Sequence, residues 1–94
     1  SGDRTAMLQA KFDALQPGQT LTLAPRVYKH SGVLTINVPN VKINGNGATL
    51  QSTNDDTAAV SIKADGVTVT NLNLTAPLTG ANRSLTAFPD SPYC

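Results

Sequence analysis

The sequence predicts an all-β protein, a right-handed parallel β-helix of about three coils with an amphipathic helix capping its N-terminal end. The main observation is a unit that occurs twice. LTINVPNVKINGNGATL begins at Leu34 and VSIKADGVTVTNLNL begins at Val60. The pairs Leu34/Val60, Ile36/Ile62, Val41/Val67 and Ile43/Val69 all share one separation, so the repeat has a fixed period. The second observation is alternation: short runs of aliphatic and polar residues are joined by turns too tight for a crossover helix, so strands of period two must follow one another directly. The third is a single helical pattern at the start, which suits a cap on an open apolar cross-section. A β-sandwich would also use short strands and regular turns. It requires neither a sequence repeat nor an opening helix.

The chain order fills in this scheme. Residues 3–16 read as the helix. Asp3 or Thr5 accepts the first free amides as N-cap, and Leu8, Phe12 and Leu15 recur at helical spacing with Met7 beside them. Gln9, Lys11 and Asp13 point elsewhere. Pro17-Gly18 stops the helix. A lone helix of about three turns is unstable in water, so Leu8, Phe12 and Leu15 are expected to be a structural cap packed around Leu21, Leu23 and Leu34. Strands are expected over residues 19–24, 27–28, 34–38, 41–44, 48–51, 59–63, 67–70 and 72–75. Lys29-His30-Ser31-Gly32 reads as a polar corner. Gly45-Asn46-Gly47 and Asn71 read as equivalent corners of successive coils, because tight bends use positive φ, which Gly and Asn tolerate best. Stacking at about 4.8 Å would place Leu21, Val41 and Val67 in one column, Leu34 and Val60 in a second, and Ala48 and Leu72 in a third. The chain thus divides into a capping helix (1–18), coils (19–75) and an irregular, Pro-interrupted tail (76–94).

Composition narrows the function classes. At 94 residues there is room for one domain. The seven Lys and Arg are scattered with no two adjacent, and the net charge is +1. A nucleic-acid binder would show a basic stripe. No apolar run approaches the roughly 20 residues of a membrane helix. The chain opens Ser-Gly without an initiator Met, the look of a processed or engineered product. Cys94 is the single cysteine. It is either a free thiol or one half of an intermolecular disulfide.

The helix followed by LQPGQTLTLAPRVYKHSGVLTI, with NVKINGNGATL after it, resembles the opening of pectate-lyase-like right-handed β-helix proteins. The resemblance covers about residues 8–75. Arg26 departs from the pattern, standing where that family often has Gly. The resemblance implies a polysaccharide-active parent (a lyase, epimerase or hydrolase of uronans, with Ca2+ as a cofactor of the full-length protein) and an extracellular or cell-surface location. Family members are several hundred residues long, with catalytic residues in middle coils. This chain is therefore expected to be a capped N-terminal fragment, inactive by itself. The alternative is a structural or carbohydrate-binding module of adhesin, tailspike or engineered type.

No catalytic or metal-binding set is expected, and no cofactor for the chain itself. Lyase chemistry needs a base and several converging oxygen ligands around a metal. Asp55-Asp56 is the only acidic pair, and Asp65 before Gly66 reads as a turn residue. Arg26, Tyr28, Lys29 and His30 form the most basic and polar cluster, the candidate site for an acidic polysaccharide. Asn73-Leu74-Thr75 and Asn82-Arg83-Ser84 match the glycosylation pattern. The last coil, with Val67, Val69, Leu72 and Leu74, is expected to leave an open apolar edge that favours self-association, with Cys94 available to bridge two chains.

Overall fold

The computed structural model describes residues 2–54 and 59–75. One short helix, α1 (Thr5–Asp13), precedes eight short strands. These are β1 (Thr20–Thr22), β2 (Val27–His30), β3 (Leu34–Ile36), β4 (Lys42–Asn44), β5 (Thr49–Ser52), β6 (Val60–Ile62), β7 (Thr68–Thr70) and β8 (Asn73–Thr75). No strand pairs with the one that follows it. Strands β1 to β5 each pair in parallel with the strand three places later, which gives three sheets. Sheet I has the order β1-β4-β7, sheet II β2-β5-β8 and sheet III β3-β6. The described residues are therefore mostly strands in parallel sheets, with no closed barrel.

The registers locate the columns of side chains. Leu34 lies opposite Val60 and Ile36 opposite Ile62. Thr49 lies opposite Asn73 and Leu50 opposite Leu74, which carries Ala48 onto Leu72. Leu21 does not stack on Val41 as expected. It lies opposite Ile43, and Ile43 lies opposite Val69. The reason is that successive circuits differ in length. The interval from Leu21 to Ile43 is the shortest, that from Ile43 to Val69 is the longest, and that from Leu50 to Leu74 falls between them. Two connections absorb the difference. Residues 31–33 join β2 to β3, whereas the longer stretch 53–59 joins β5 to β6. Residues 45–48 join β4 to β5, and only residues 71–72 join β7 to β8.

The corner entering sheet I keeps a constant length, and the backbone explains it. Gly18, Asn40 and Gly66 stand at the same place before β1, β4 and β7, with φ of +91°, +58° and +72°. They are tied together by Gly18 N–H to Asn40 O (2.6 Å) and Asn40 N–H to Asp65 O (3.0 Å). Left-handed backbone costs an L-residue about 1–2 kcal/mol, so only Gly and Asn recur in this column.

Alternation along each strand sends one set of side chains into the core. Leu34, Ile36, Val41, Ile43, Ala48 and Leu50 are buried between neighbouring circuits. Of their counterparts in the last circuit, Val60 and Leu74 are buried, whereas Ile62, Val67, Val69 and Leu72 are only partly buried. At the other end lies α1, with Leu8, Phe12 and Leu15 buried in the same core as Leu23 and Leu34.

The helix is shorter than the sequence suggests because Asp3 is extended. It bridges Lys29 in parallel fashion, and Arg4 N–H donates to Lys29 O (2.7 Å). Arg4 holds the N-cap position without a side-chain bond. The capping contact comes from Asp3, whose Oδ1 accepts Thr5 N–H (2.9 Å). Gln9, expected to point away, faces β3 and makes two bonds to the backbone of one residue. Its Nε2 donates to Thr35 O and Thr35 N–H donates to its Oε1, both at 2.8 Å. A side-chain amide thus stands in for a neighbouring strand.

Candidate functional site

The four residues read as a basic cluster fall on two faces. Strand β2 runs on through His30, beyond its expected end, so its pleat sorts them. Lys29 is exposed, as is Arg26 just before the strand, whereas Tyr28 and His30 point inwards and are buried. Tyr28 donates its hydroxyl to Ala24 O (3.1 Å) and stacks over Leu50 and Leu74. His30 is wholly buried. Its Nδ1 donates to the Gly32 carbonyl (3.0 Å), and its Nε2 has no hydrogen-bond partner. It sits opposite Ser52, which is also buried and whose hydroxyl donates to Asn54 O (2.9 Å). A sugar on the surface reaches neither Tyr28 nor His30. This corrects the expected site: Arg26 and Lys29 remain available, and the aromatic ring and imidazole belong to the core.

What the fold adds to the outer face of sheet II comes from later strands. Lys29 lies over Gln51 and Gln51 over Thr75, while Val27 lies over Thr49 and Thr49 over Asn73. The result is a polar ladder with one cation at its top and Arg26 beside it. This juxtaposition was hidden in the sequence because a whole circuit of chain separates each member from the next.

The ladder runs into an open cleft of about 430 Å3 at the corner between sheets I and II, lined by Asn46, Gly47, Asn71, Leu72 and Asn73. Asn46, Gly47 and Asn71 have φ of +53°, +84° and +52°. Gly47 N–H donates to Asn71 O (2.9 Å) and Gly45 N–H to Thr70 O (2.7 Å), so the two turns nest as successive corners. Asn46 Nδ2 donates to Leu23 O (3.3 Å), and Asn73 Nδ2 lies 3.4 Å from Ala48 O. These amides shape the corner, and the cleft walls carry no formal charge.

A second polar group lies where the helix meets the corner after β2. Asp3 accepts from the Thr5 hydroxyl (2.6 Å) and from the Ser31 hydroxyl. Thr5 Oγ1 in turn accepts the amides of Ser31 and Gly32, both at 3.1 Å. The Ser31 hydroxyl, and after it the Thr5 hydroxyl and amide, hold the Asp3 carboxyl well below the usual carboxylate range. These bonds tie the start of the helix to the corner after β2, so this group fastens the helix.

Among the described residues no three His, Cys, Asp or Glu side chains come together as metal ligands, and no helix is long and apolar enough to cross a membrane. Asp65 serves its turn through its carbonyl. Asp55, Asp56, Asn82 and Cys94 lie outside the described residues. No family model, curated protein or solved structure matches this chain.

Proposed function

We propose that the chain is the capped N-terminal part of a right-handed parallel β-helix of the pectate-lyase-like kind, and that its outer surface holds an acidic polysaccharide without cleaving it. Strands that pair in parallel with the third strand onward support the architecture. Right-handed winding is the usual sense for crossovers between parallel strands of one sheet. One observation carries the binding: Arg26 and Lys29 stand exposed at the head of the Gln51 and Thr75 column, beside an Asn-lined cleft. Cations attract uronate carboxylates, and amides and hydroxyls offer donors and acceptors to sugar hydroxyls. No described residue is assigned as base or metal ligand, so the reading includes no chemical step.

Titration of the full chain with polygalacturonate and alginate oligomers, followed by amide NMR, tests this reading against a neutral glucan control. Shifts are expected at Lys29, Gln51, Asn46 and Asn73, weakened by salt. The double substitution Arg26→Glu, Lys29→Glu should weaken binding by at least about tenfold. Equal binding of the neutral glucan, or none by the uronans, rejects it.

A second reading, a structural module with no ligand, is favoured by a different observation. Phe12 and Tyr28 are both buried, so among the described residues no aromatic ring is exposed for a sugar to stack on. A blank titration with an intact fold supports that reading.

A further inference from the structure

We propose that Asp65-Gly66 is a site of spontaneous covalent modification, at which the folded chain converts to isoaspartate and its last circuit loosens. Three pairs of Asn or Asp followed by Gly occur in the sequence: Asn44-Gly45, Asn46-Gly47 and Asp65-Gly66. Such pairs close to a succinimide most readily, because a glycine has no side chain to hinder its attacking amide. By side-chain chemistry alone the two Asn pairs are the more reactive. They expel ammonia at neutral pH, whereas a carboxyl must be protonated before it can leave as water. The fold reverses that order.

The two Asn pairs are locked. Gly45 N–H donates to Thr70 O (2.7 Å) and Gly47 N–H to Asn71 O (2.9 Å), so both attacking amides are committed to the next circuit. The side chains are held as well. Asn44 Oδ1 accepts Asn46 N–H (3.0 Å), and Asn46 Nδ2 donates to Leu23 O (3.3 Å). Asp65 and Gly66, by contrast, are both exposed. Neither the Asp65 carboxyl nor the Gly66 amide has a hydrogen-bond partner among the described residues. The corner is held instead through the Asp65 carbonyl, which accepts Asn40 N–H (3.0 Å). The two groups that react are left unengaged.

In the first step Gly66 N bonds to Asp65 Cγ and gives up its proton, while the C–OH bond of the protonated carboxyl breaks and water leaves. Water then adds at one of the two ring carbonyls and breaks its bond to nitrogen. Opening at Cγ restores aspartate. Opening at the former Asp65 backbone carbonyl leaves the main chain running through Cβ and Cγ. Atoms balance without any other reactant. The product carries an extra main-chain carbon and has turned the acceptor of Asn40 N–H into a free carboxylate. This happens at the corner entering sheet I, which otherwise keeps a constant length. Strand β7 is thereby shifted from β4, to which Thr68 N–H now bonds through Val41 O (3.0 Å). The proposal is independent of glycan binding.

Peptide mapping of the full chain, aged in mildly acid buffer both folded and in guanidinium chloride, tests it. Isoaspartate at residue 65, read as a retention shift without change of mass, should form in the folded chain within about tenfold of the unfolded rate. Deamidation at Asn44 and Asn46, read as a gain of mass, should be slowed by folding about 100-fold or more. In the isomerised chain the Thr68 amide should exchange faster, while that of Thr49, bonded to Arg26 O, stays as before. Asp65→Asn should give the same isoaspartate sooner, and Asp65→Glu, whose longer side chain closes a less favourable ring, should give none. Slowing at residue 65 as strong as at Asn44 and Asn46 overturns the proposal. So does a folded Asp65→Asn chain that keeps its side-chain amide, and an unchanged Thr68 exchange overturns the loosened circuit. If a variant fails to fold, the wild-type comparison of the three pairs decides alone.

Discussion

At the scale of single residues, the glycines separate two demands that a turn makes, a left-handed backbone and room for a neighbour. Gly47 has φ of +84° with nothing within 4 Å of where a Cβ would stand. Gly45 is the reverse case. Its φ is not in the left-handed region, but a Cβ would strike the Asn71 carbonyl and approach the Leu72 Cα to 2.7 Å. Gly66 faces both demands, with φ of +72° and the Asn40 side chain lying against it. Replacement by Ala should therefore cost about 1 kcal/mol at Gly47. It should cost somewhat more at Gly66, where the Asn40 amide must also turn aside, and most at Gly45, about 2–4 kcal/mol, where a Cβ meets backbone that has to move. Urea unfolding of the three variants ranks them, and a Gly47→Ala cost equal to that of Gly45→Ala would contradict the separation. The choice of Gly or Asn at these corners was legible in the sequence, because positive φ leaves a compositional trace. The close approach at Gly45 was not, since it depends on which circuit lies above. His30 was misread for a related reason. A histidine within a polar run looks like a solvated corner, and only pairing with β5 shows that the strand continues and turns the ring inwards.

At the scale of the element, α1 works by replacing a strand as well as by covering the core. Its buried face was readable from the spacing of Leu8, Phe12 and Leu15. The role of Gln9 left no pattern, because an amide that pairs with one backbone residue looks like any exposed polar residue in the sequence. Gln9→Ala should leave the Thr35 N–H and carbonyl without their partner and cost about 1–3 kcal/mol. Gln9→Glu keeps the acceptor for Thr35 N–H but sets a carboxylate against the Thr35 carbonyl. Its deficit relative to wild type should shrink as pH falls below about 4, where a protonated carboxyl donates again. Melting curves at neutral and acid pH check both substitutions, and a pH-independent deficit would argue against the paired bonds. The fastening group at the helix start gives a pH prediction of the opposite sign. The Asp3 carboxyl titrates lower in the folded chain than in the unfolded one. Its contribution is therefore complete above the unfolded value of about 4 and is lost as pH falls through the folded value. Asp3→Asn should remove that part of the acid sensitivity, giving a flatter dependence of melting temperature on pH below about 4. An unchanged slope would show that the Ser31 and Thr5 hydrogen bonds do not couple to folding.

At the scale of the whole molecule, stability should be graded along the stacking direction, because each circuit is buried by its neighbours. Val41 and Val67 make the comparison direct. They are the same residue at the same corner of successive circuits, and Thr68 N–H bonds to the Val41 carbonyl between them. Val41 has a circuit on each side and is 2 % exposed, whereas Val67 is only partly buried. Truncation to Ala removes the same two methyl groups, worth about 1.6 kcal/mol in transfer if fully buried. At Val41 a cavity is left between two layers, so Val41→Ala should cost about 2–3 kcal/mol. At Val67 one side has no described layer to be left empty, and Val67→Ala should cost about 1 kcal/mol. This grading follows from parallel stacking, which buries a residue by its place in the stack, whereas a sandwich would bury both valines between two sheets. The midpoint of urea unfolding measures it, with an equal slope for both variants required for the comparison to hold. Equal losses at the two sites would mean that the last circuit is covered over sheet I as fully as the middle one, and the gradient along the stack would have to be abandoned.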